Sequence, residues 1–258
     1  MQSNGSVASE RSEALIKLVR VTKEYATGPA SVKAVRPATM SLMPGEFVLL
    51  QGPSGSGKTT LLSIMGCLMK PSAGQVVICG NDVTKLNEGK LPALRLKHIG
   101  FIFQTFNLFP ALTAFHNVTL ALHLKGYGWG ARRREARRLL DRVGLSSCMN
   151  RKPSELSGGQ RQRVSIARAM AGNVDIILAD EPTAALDTTT GLAIMDLLKE
   201  ETHDGKRAAL IVTHDPRLER FATRVDRITD GVLTVGTPKS LQPAGDETGV
   251  TVFESAHS

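Results

Sequence analysis

Short apolar runs alternate with stretches of helical periodicity along most of the chain. Runs of strand length lie at residues 15–21, 47–50, 76–79, 100–103, 174–179, 208–212 and 232–235. Helical spacing occurs at residues 61–69, from Gly158 to about Met170, and around residues 192–198. Mostly apolar strands between helices predict an α/β fold, with a parallel sheet covered on both faces. Ligands of such sheets bind at the carboxyl ends of the strands.

The middle of the chain has a different pattern, which is helical without strand-like runs. Two amphipathic patterns flank the glycine-rich segment Gly126–Gly130, one through Val118, Ala121 and Leu122, the other through Leu139, Leu140 and Val143. We therefore predict a mostly helical subdomain at about residues 107–157, inserted into the α/β core. The polar ends predict a disordered tail at residues 1–13 and a flexible tail at residues 239–258, around one domain at residues 14–238.

Composition and charge narrow the class of protein. The longest largely apolar stretch, residues 61–69, is far shorter than the ~20 residues of a membrane-spanning helix. The N-terminus lacks the basic flank and apolar run of a signal peptide. The formal net charge is +8, much of it in Arg132, Arg133, Arg134, Arg137 and Arg138. This run is either a solvated helix face or a contact for anionic lipid or nucleic acid, and it lacks the aromatic residues that stack on bases.

The chain has 3 cysteines, Cys67, Cys79 and Cys148. Their number is odd, and their spacing matches no metal or redox motif. We interpret them as reduced thiols of the core or surface.

A glycine-rich loop between a predicted strand and a predicted helix is the strongest chemical signal. Residues 52–59 match the P-loop pattern G-x-x-x-x-G-K-[ST] in full. A loop that was merely flexible would need glycines but not the lysine and threonine at these positions. Glycines let backbone N–H groups approach phosphate oxygens, Lys58 neutralises the β- and γ-phosphates, and the Thr59 hydroxyl ligates Mg²⁺. The residues predicted to bind nucleotide are Gly52, Pro53, Ser54, Gly55, Ser56, Gly57, Lys58, Thr59 and Thr60.

Two further strings carry candidate chemistry. The apolar run Ile176–Ala179 ends in Asp180 and Glu181, which predicts a Mg²⁺ ligand followed by a general base rather than an ordinary surface pair. Residues 156–160 read LSGGQ, in which Ser157 can cap a helix that begins at Gly158. The start of that helix is a second anion site.

These strings, with Thr213-His214-Asp215, resemble the nucleotide-binding domain of ABC ATPases over about residues 15–237. The resemblance implies a P-loop NTPase with a parallel core sheet, an N-terminal antiparallel β part and an inserted α-helical subdomain. It also implies ATP and Mg²⁺ as cofactors. The resemblance further implies that the working form is a homodimer, in which Ser157, Gly158, Gly159 and Gln160 of one copy would bind the γ-phosphate held by the other.

The resemblance assigns roles to isolated residues that would otherwise draw no notice. Gln104 would contact Mg²⁺ and the lytic water, and His214 the γ-phosphate. Asp187 would cross the dimer seam, and Tyr25 would stack on adenine, although such a tyrosine is often a packing residue. The sequence departs from the family's common pattern at Ala184-Ala185, before Asp187, and at Pro37, which predicts a short or edge strand.

The strings GFIFQTFNLFPALTAFHNV and LADEPTAALD are similar to ATPase subunits of lipoprotein-release, macrolide-export and heterocyst glycolipid-export transporters. This similarity implies ATP hydrolysis that powers export through a separate integral membrane permease, at the cytoplasmic face of the inner membrane and without nucleic acid. The permease would dock at Phe106, Leu108, Phe109 and Leu112, residues that can equally be core. Alternatives are an importer ATPase, a regulatory ATPase of a membrane partner, and a soluble nucleic-acid or ribosome-associated ATPase.

Overall fold

The computed structural model describes residues 13–27 and 30–239. Two sheets form its framework, and the smaller one is antiparallel. It contains β1 (Ile16–Thr27), β2 (Ala30–Leu42), β4 (Ala73–Ile78) and β5 (Asn81–Asp82), in the order β2-β1-β4-β5. The predicted tails fall outside the described residues, except for residues 13 and 239.

The larger sheet is the core of the molecule. It contains β3 (Phe47–Gln51), β6 (Ile99–Ile102), β7 (Ile176–Asp180), β8 (Ala208–Val212), β9 (Arg224–Thr229) and β10 (Val232–Thr234), in the order β10-β9-β3-β8-β7-β6. All neighbouring pairs are parallel except β9 with β10. Every residue of β7 and β8 is buried, which is why both read as unbroken apolar runs.

Helices cover both faces of the core sheet. They are α1 (Lys58–Met65), α2 (Leu91–His98), α3 (Ala114–Leu124), α4 (Trp129–Arg142), α5 (Gly158–Ala169) and α6 (Thr188–Glu200). Because side chains alternate along a strand, Phe47 and Leu49 pack with α3–α6, whereas Val48 and Leu50 pack with α1 and the antiparallel sheet. No helix of the described ranges is long and apolar enough for a membrane crossing.

Several element predictions need correction. The helix predicted over residues 61–69 ends at Met65, since Gly66 follows and Cys67 has a φ of 53° in the left-handed region. Pro37 lies in a strand of 13 residues rather than a short one. That strand is at the edge of its sheet, as expected, and its pairing with β1 shifts register between Ala38 and Val35.

Three elements were not predicted at all: β5, α2 and β9. In β9 the buried positions include Arg224 and Asp226, which form an ion pair of 2.9 Å. Because these buried residues are polar, β9 lacks the apolar pattern by which a strand is predicted. Residues 107–157 contain α3, α4 and short 3₁₀ turns.

Candidate active site

A cavity of about 270 Å³, the phosphate cavity, lies at the carboxyl ends of the core strands. Its walls come from the loop between β3 and α1, from the residues after β6 and β7, and from the end of β8. They consist of Ala34, Ser54, Gly55, Gly57, Lys58, Thr59, Thr60, Gln104, Asp180, Glu181 and Val212. Residues far apart in sequence therefore meet at the edge of the sheet where α/β proteins bind ligands.

The glycine loop requires glycine where its backbone meets neighbouring chain segments. A Cβ at Gly57 would lie 2.2 Å from the Ala34 carbonyl oxygen, and φ of Gly57 is 105°. A Cβ at Gly52 would lie 2.0 Å from the Ile228 carbonyl oxygen. Gly52, Pro53 and Ser56 belong to this loop but not to the cavity lining.

The start of α1 faces this loop and is suited to an anion. Among the described residues, no side chain caps the helix at Gly57, so its first N–H groups are open to a ligand. The Lys58 ammonium donates to the carbonyl oxygens of Gly52 at 2.8 Å and Pro53 at 2.7 Å. These two contacts hold the positive charge over the loop where phosphates would bind.

Thr59 and Asp180 meet on the floor of the cavity. The Thr59 hydroxyl donates to the Asp180 carboxylate at 3.0 Å. Burial raises the pKa of Asp180, while the Thr59 hydrogen bond and the charge of Lys58 act in the opposite direction. A hydroxyl oxygen beside a carboxylate is the donor set that Mg²⁺ prefers, so these residues fit the predicted ion.

Glu181 lines the phosphate cavity, and His214, which lies outside the described lining, contacts the Glu181 carboxylate. His214 Nδ1 lies 2.8 Å from Glu181 Oε1, and this hydrogen bond, followed by the carboxylate charge, raises the pKa of His214. The Glu181 backbone has a φ of 48°, a left-handed conformation that is strained for a non-glycine residue. Its N–H donates to the Val212 carbonyl at 3.0 Å, which holds the carboxylate at the end of β7.

Gln104 and Tyr25 differ in their relation to the cavity. Gln104 is exposed and lines the cavity, as expected for a residue that closes β6. Tyr25 lies on β1, outside the lining, where its hydroxyl is 3.1 Å from the Met69 sulfur and Lys23 Nζ is 5.5 Å from its ring centroid. Within one chain, the structure does not bring Tyr25 to the phosphate cavity.

The signature string, Ser157–Gln160, forms the capped start of α5. Ser157 Oγ accepts from the Gln160 N–H at 3.2 Å, and Gln160 Oε1 accepts from the Ser157 N–H at 2.9 Å. The described lining of the phosphate cavity includes none of these residues. Asp187 is likewise outside it, as the exposed cap of α6 that accepts from the Thr190 N–H at 3.0 Å. That hydrogen bond lowers the pKa of Asp187.

Sequence reasoning missed Ala34 and Val212 as cavity residues. Ala34 contacts the loop through its carbonyl oxygen, and a backbone contribution leaves no signal in residue type. Val212 was predicted only as the end of a buried strand.

The segment after Gln104 is fastened to two helices. Arg168 of α5 donates to the carbonyl oxygens of Asn107 and, at 3.0 Å, of Phe106. The buried side chain of Asn117 on α3 accepts from the Phe109 N–H at 2.9 Å and donates to the Phe109 carbonyl at 3.2 Å. This segment therefore connects the cavity edge at Gln104 with the helical subdomain.

Beside that segment lies a groove of about 550 Å³, the lateral groove. Of the four residues predicted to line it, Phe109 does so and is 52% exposed. The other three lie outside its described lining: Leu108 packs on the core, the alternative already left open, Leu112 lines a separate cavity, and Phe106 lies under the Arg161 guanidinium. Apolar groove residues that the sequence did not indicate are Leu68, Pro92, Ala93, Leu96, Phe101, Phe103 and Leu124.

The basic run lies on α4 and is partly engaged by its own neighbours. Arg133 lies 4.5 Å from the centroid of the exposed Trp129 ring. Arg138 and Glu135 form an ion pair of 2.7 Å. These contacts account for part of the run.

Comparison with known proteins identifies the family. The family model for ABC transporters matches residues 35–184. MJ0796, an uncharacterised ABC transporter ATP-binding protein of Methanocaldococcus jannaschii, is 44% identical over 84% of this chain and 94% of its own length. The macrolide export ATP-binding/permease protein MacB of Rhodopseudomonas palustris is 43% identical over 90% of this chain. The chain spans 36% of that relative's length.

Solved structures agree with the architecture. A dimeric structure of a post-hydrolysis state of the ATP-binding cassette MJ0796, bound to ADP and Pi, superposes with a TM-score of 0.81 over 84% of this chain and 95% of that one, at 44% identity. Fold and phosphate cavity together define a P-loop nucleotide-binding protein. The chain belongs to the ABC transporter family of ATP-binding proteins.

Proposed function

We propose that this chain is an ATP-hydrolysing subunit that works as a homodimer and powers a membrane permease. One observation carries the proposal. The phosphate cavity collects the P-loop, Gln104, Asp180 and Glu181, whereas the signature string opens elsewhere on the same chain. A second copy supplies the missing helix start, which is consistent with the dimeric structures of the relative MJ0796. The working unit is residues 14–238, with a helical subdomain at about residues 107–157.

Thr59, Gln104 and Asp180 would hold Mg²⁺ beside the ATP phosphates. The ion would supply charge neutralisation on the transferred phosphoryl group. The loop residues Gly52–Thr60 would bind the β- and γ-phosphates through their N–H groups and the Lys58 ammonium. Pro53, which has no N–H, contributes the carbonyl that accepts from Lys58. Tyr25 would stack on the adenine.

Glu181 would act as the general base. Its Oε1 is engaged by His214 at 2.8 Å, which leaves the second carboxylate oxygen for the water that attacks the γ-phosphate. Gln104, at the cavity edge, would orient that water, and His214 would contact the γ-phosphate. The hydrogen bond with His214 fixes the direction of the carboxylate.

In the dimer, Ser157, Gly158, Gly159 and Gln160 of one copy would face the γ-phosphate held by the partner. A helix start with free N–H groups binds an anion in this position. Asp187, exposed at the start of α6, would lie at the seam between copies. ATP binding would thus close the dimer, and hydrolysis would reopen it.

The lateral groove would receive a short segment of the permease. Its apolar lining at Phe109, Leu96 and Leu124 suits an apolar helix, and the MacB relatives are named ATP-binding/permease proteins. We propose export as the coupled process, and attachment to the cytoplasmic face of the inner membrane through that permease. Nucleic acid is not a partner in this proposal.

Replacing Glu181 with Gln tests the general base. Glu181→Gln keeps the size and hydrogen-bonding capacity of the side chain but removes its ability to take a proton. We expect ATP turnover to fall at least about 100-fold, the scale of general-base contributions, while ATP produces a stable dimer. Phosphate release and size-exclusion chromatography with ATP and Mg²⁺ measure the two effects.

Lys58→Ala serves as the comparison variant, because it should weaken nucleotide binding and prevent the ATP-dependent dimer. Wild-type turnover in Glu181→Gln would contradict the general-base role. Failure of Glu181→Gln to form a dimer with ATP would contradict closure on two nucleotides.

A further inference from the structure

Three potential metal ligands converge at the amino end of the core sheet, opposite the phosphate cavity. Cys79 follows β4 of the antiparallel sheet, His98 ends α2, and Asp175 precedes β7. One ligand atom from each side chain lies within 4.8 Å of the other two. We call these residues the amino-end cluster.

We propose that the amino-end cluster binds one divalent transition-metal ion, with Zn²⁺ as the best match. Thiolate sulfur, imidazole nitrogen and carboxylate oxygen are the three protein ligand types that Zn²⁺ uses. Mg²⁺ and Ca²⁺ select oxygen ligands instead, so the sulfur and nitrogen exclude the ion expected at the phosphate cavity. Three protein ligands leave the fourth tetrahedral position for water.

The geometry is fixed by the backbone around each ligand. His98 Nδ1 lies 2.6 Å from Asp175 Oδ2, and the Asp175 N–H donates to the His98 carbonyl at 3.0 Å. The Cys79 N–H donates to the Leu15 carbonyl at 2.9 Å, and φ of Cys79 is 44°. Cys79 and Gly80, whose φ is 77°, form the two-residue turn between β4 and β5, so the turn itself fixes the position of the thiol. The ligands are therefore held near each other before any ion arrives.

The site is accessible to solvent, and Asp175 contributes a negative charge to it. The His98 side chain is 13% exposed and the Asp175 side chain 46%, so an ion can enter from solvent. Burial, followed by the charge of Asp175, raises the pKa of Cys79 to about 11, with Lys97 opposing. A bound ion would displace the thiol proton to solvent and so create the thiolate ligand.

A plainer interpretation is that His98 and Asp175 only join α2 to β7 and that Cys79 is a bystander. The metal-site proposal and this plainer interpretation differ in what connects the antiparallel sheet to the core sheet. A bound ion would connect the antiparallel sheet at Cys79 to the core sheet at Asp175. Since an unfolded chain lacks the assembled site, the ion would raise the melting temperature of the protein.

Metal binding is best measured on the whole protein without nucleotide, because ATP itself chelates Zn²⁺. We expect one Zn²⁺ per chain in a competition titration against a chromogenic chelator. Co²⁺ in place of Zn²⁺ should give a near-ultraviolet thiolate-to-cobalt absorption band. That band reports a sulfur ligand, so it separates this cluster from adventitious binding at Asp180, Glu181 and His214.

Three variants and two controls assign the ligands. Cys79→Ser should abolish the cobalt band, and His98→Gln and Asp175→Asn should each weaken Zn²⁺ binding by at least about tenfold. All three should lose the Zn²⁺-dependent rise in melting temperature. Cys67→Ser and His123→Gln remove a cysteine and a histidine outside the cluster, and should behave like the wild type. Circular dichroism identifies any variant that fails to fold, and the remaining two ligand variants then decide.

The proposal is overturned if the wild type gives no thiolate band, or if folded Cys79→Ser keeps it. It is also overturned if His98→Gln and Asp175→Asn bind Zn²⁺ as tightly as the wild type. Equal loss of binding in the two controls would point to metal-induced aggregation and would likewise refute it.

Discussion

Two helices of this protein have glycine at their start, Gly57 as the cap residue of α1 and Gly158 as the first residue of α5, yet their first N–H groups are used differently. At α1, Gly57 provides no side-chain cap, and the Lys58 ammonium lies over the loop. At α5, Ser157 and Gln160 cap each other's N–H groups. The start of α1 opens into the phosphate cavity of its own chain, whereas the start of α5 does not.

This difference indicates two kinds of anion site in one chain. No side chain caps the start of α1, so its first N–H groups are available to a ligand bound by the same molecule. At α5 the capping box forms hydrogen bonds to two N–H groups of the helix start, those of Ser157 and Gln160. The helix is therefore stable before a ligand binds. The N–H groups of Gly158 and Gly159 then remain for a ligand that the partner brings. The following predictions change one helix start at a time.

The largest effect is expected from alanine at Gly57. Gly57→Ala would place a Cβ 2.2 Å from the Ala34 carbonyl oxygen at a φ of 105°, which forces the loop to move. Backbone strain of this kind costs about 1–3 kcal/mol, so ATP affinity should fall by about tenfold or more. Isothermal titration with ATP measures the loss directly.

Gly158→Ala is the matched change at α5. The nearest described atom to the added Cβ is Arg161 Nη2, at 4.0 Å, so the folded chain tolerates it. Affinity of the monomer for ATP should stay at the wild-type value, while the ATP-dependent dimer is lost. If Gly158→Ala instead weakened ATP binding to the monomer, the contrast between the two helix starts would be wrong.

A smaller effect is expected from removing the cap of α5. Ser157→Ala should cost about 1 kcal/mol of unfolding free energy, because the Gln160 N–H loses its acceptor. It should also reduce ATP-driven dimerisation. Urea unfolding and size-exclusion chromatography measure the two effects.

Thr113→Ala is a suitable control for that prediction. Thr113 caps α3 by accepting from the His116 N–H at 3.2 Å, the same distance as in the Ser157 cap. It should lose similar stability without loss of the dimer. Equal dimerisation defects in both variants would attribute the Ser157 effect to stability alone.

The smallest effect concerns His214, whose pKa is raised above 6.5 by Glu181. A raised pKa in the folded state means that the ion pair stabilises the fold fully below the unfolded-state pKa. That stabilisation is lost as pH rises through the folded-state pKa. The wild type should therefore exceed His214→Gln in melting temperature at acidic pH, with the gap narrowing as pH rises above 6.5.

His123→Gln, which removes an exposed histidine of α3, is the reference for that series. A gap for His214→Gln that stays constant with pH would show that the ion pair does not titrate as described.

Sequence reasoning succeeded where neighbouring residues carry the chemistry together. The P-loop, Asp180-Glu181 and the signature string each occupy a few consecutive positions, and each falls at the end or start of a regular element. Periodicity also predicted the buried strands β7 and β8, since nothing polar interrupts them.

Sequence reasoning failed where a residue contributes through its backbone, or where residues far apart in sequence meet only in the folded structure. Ala34 acts through a carbonyl oxygen, and Arg224 and Asp226 hid β9 by pairing inside the protein. Cys79, His98 and Asp175 are separated by long stretches of sequence, so their spacing matched no metal motif. Much of the lateral groove was not indicated by the sequence, because α2, which supplies part of its wall, was not predicted.

The contacts of Arg168 have a consequence for how the two ends of α5 are related. This helix of 12 residues is about 18 Å long. Its first turn carries Ser157–Gln160, and Arg168 near its last turn holds the backbone of Phe106 and Asn107 beside the lateral groove. A rigid rod between these points cannot shift at one end alone. Any tilt imposed on its first turn would also displace the wall of the groove. Helix α5 would therefore transmit motion between the signature string and the lateral groove.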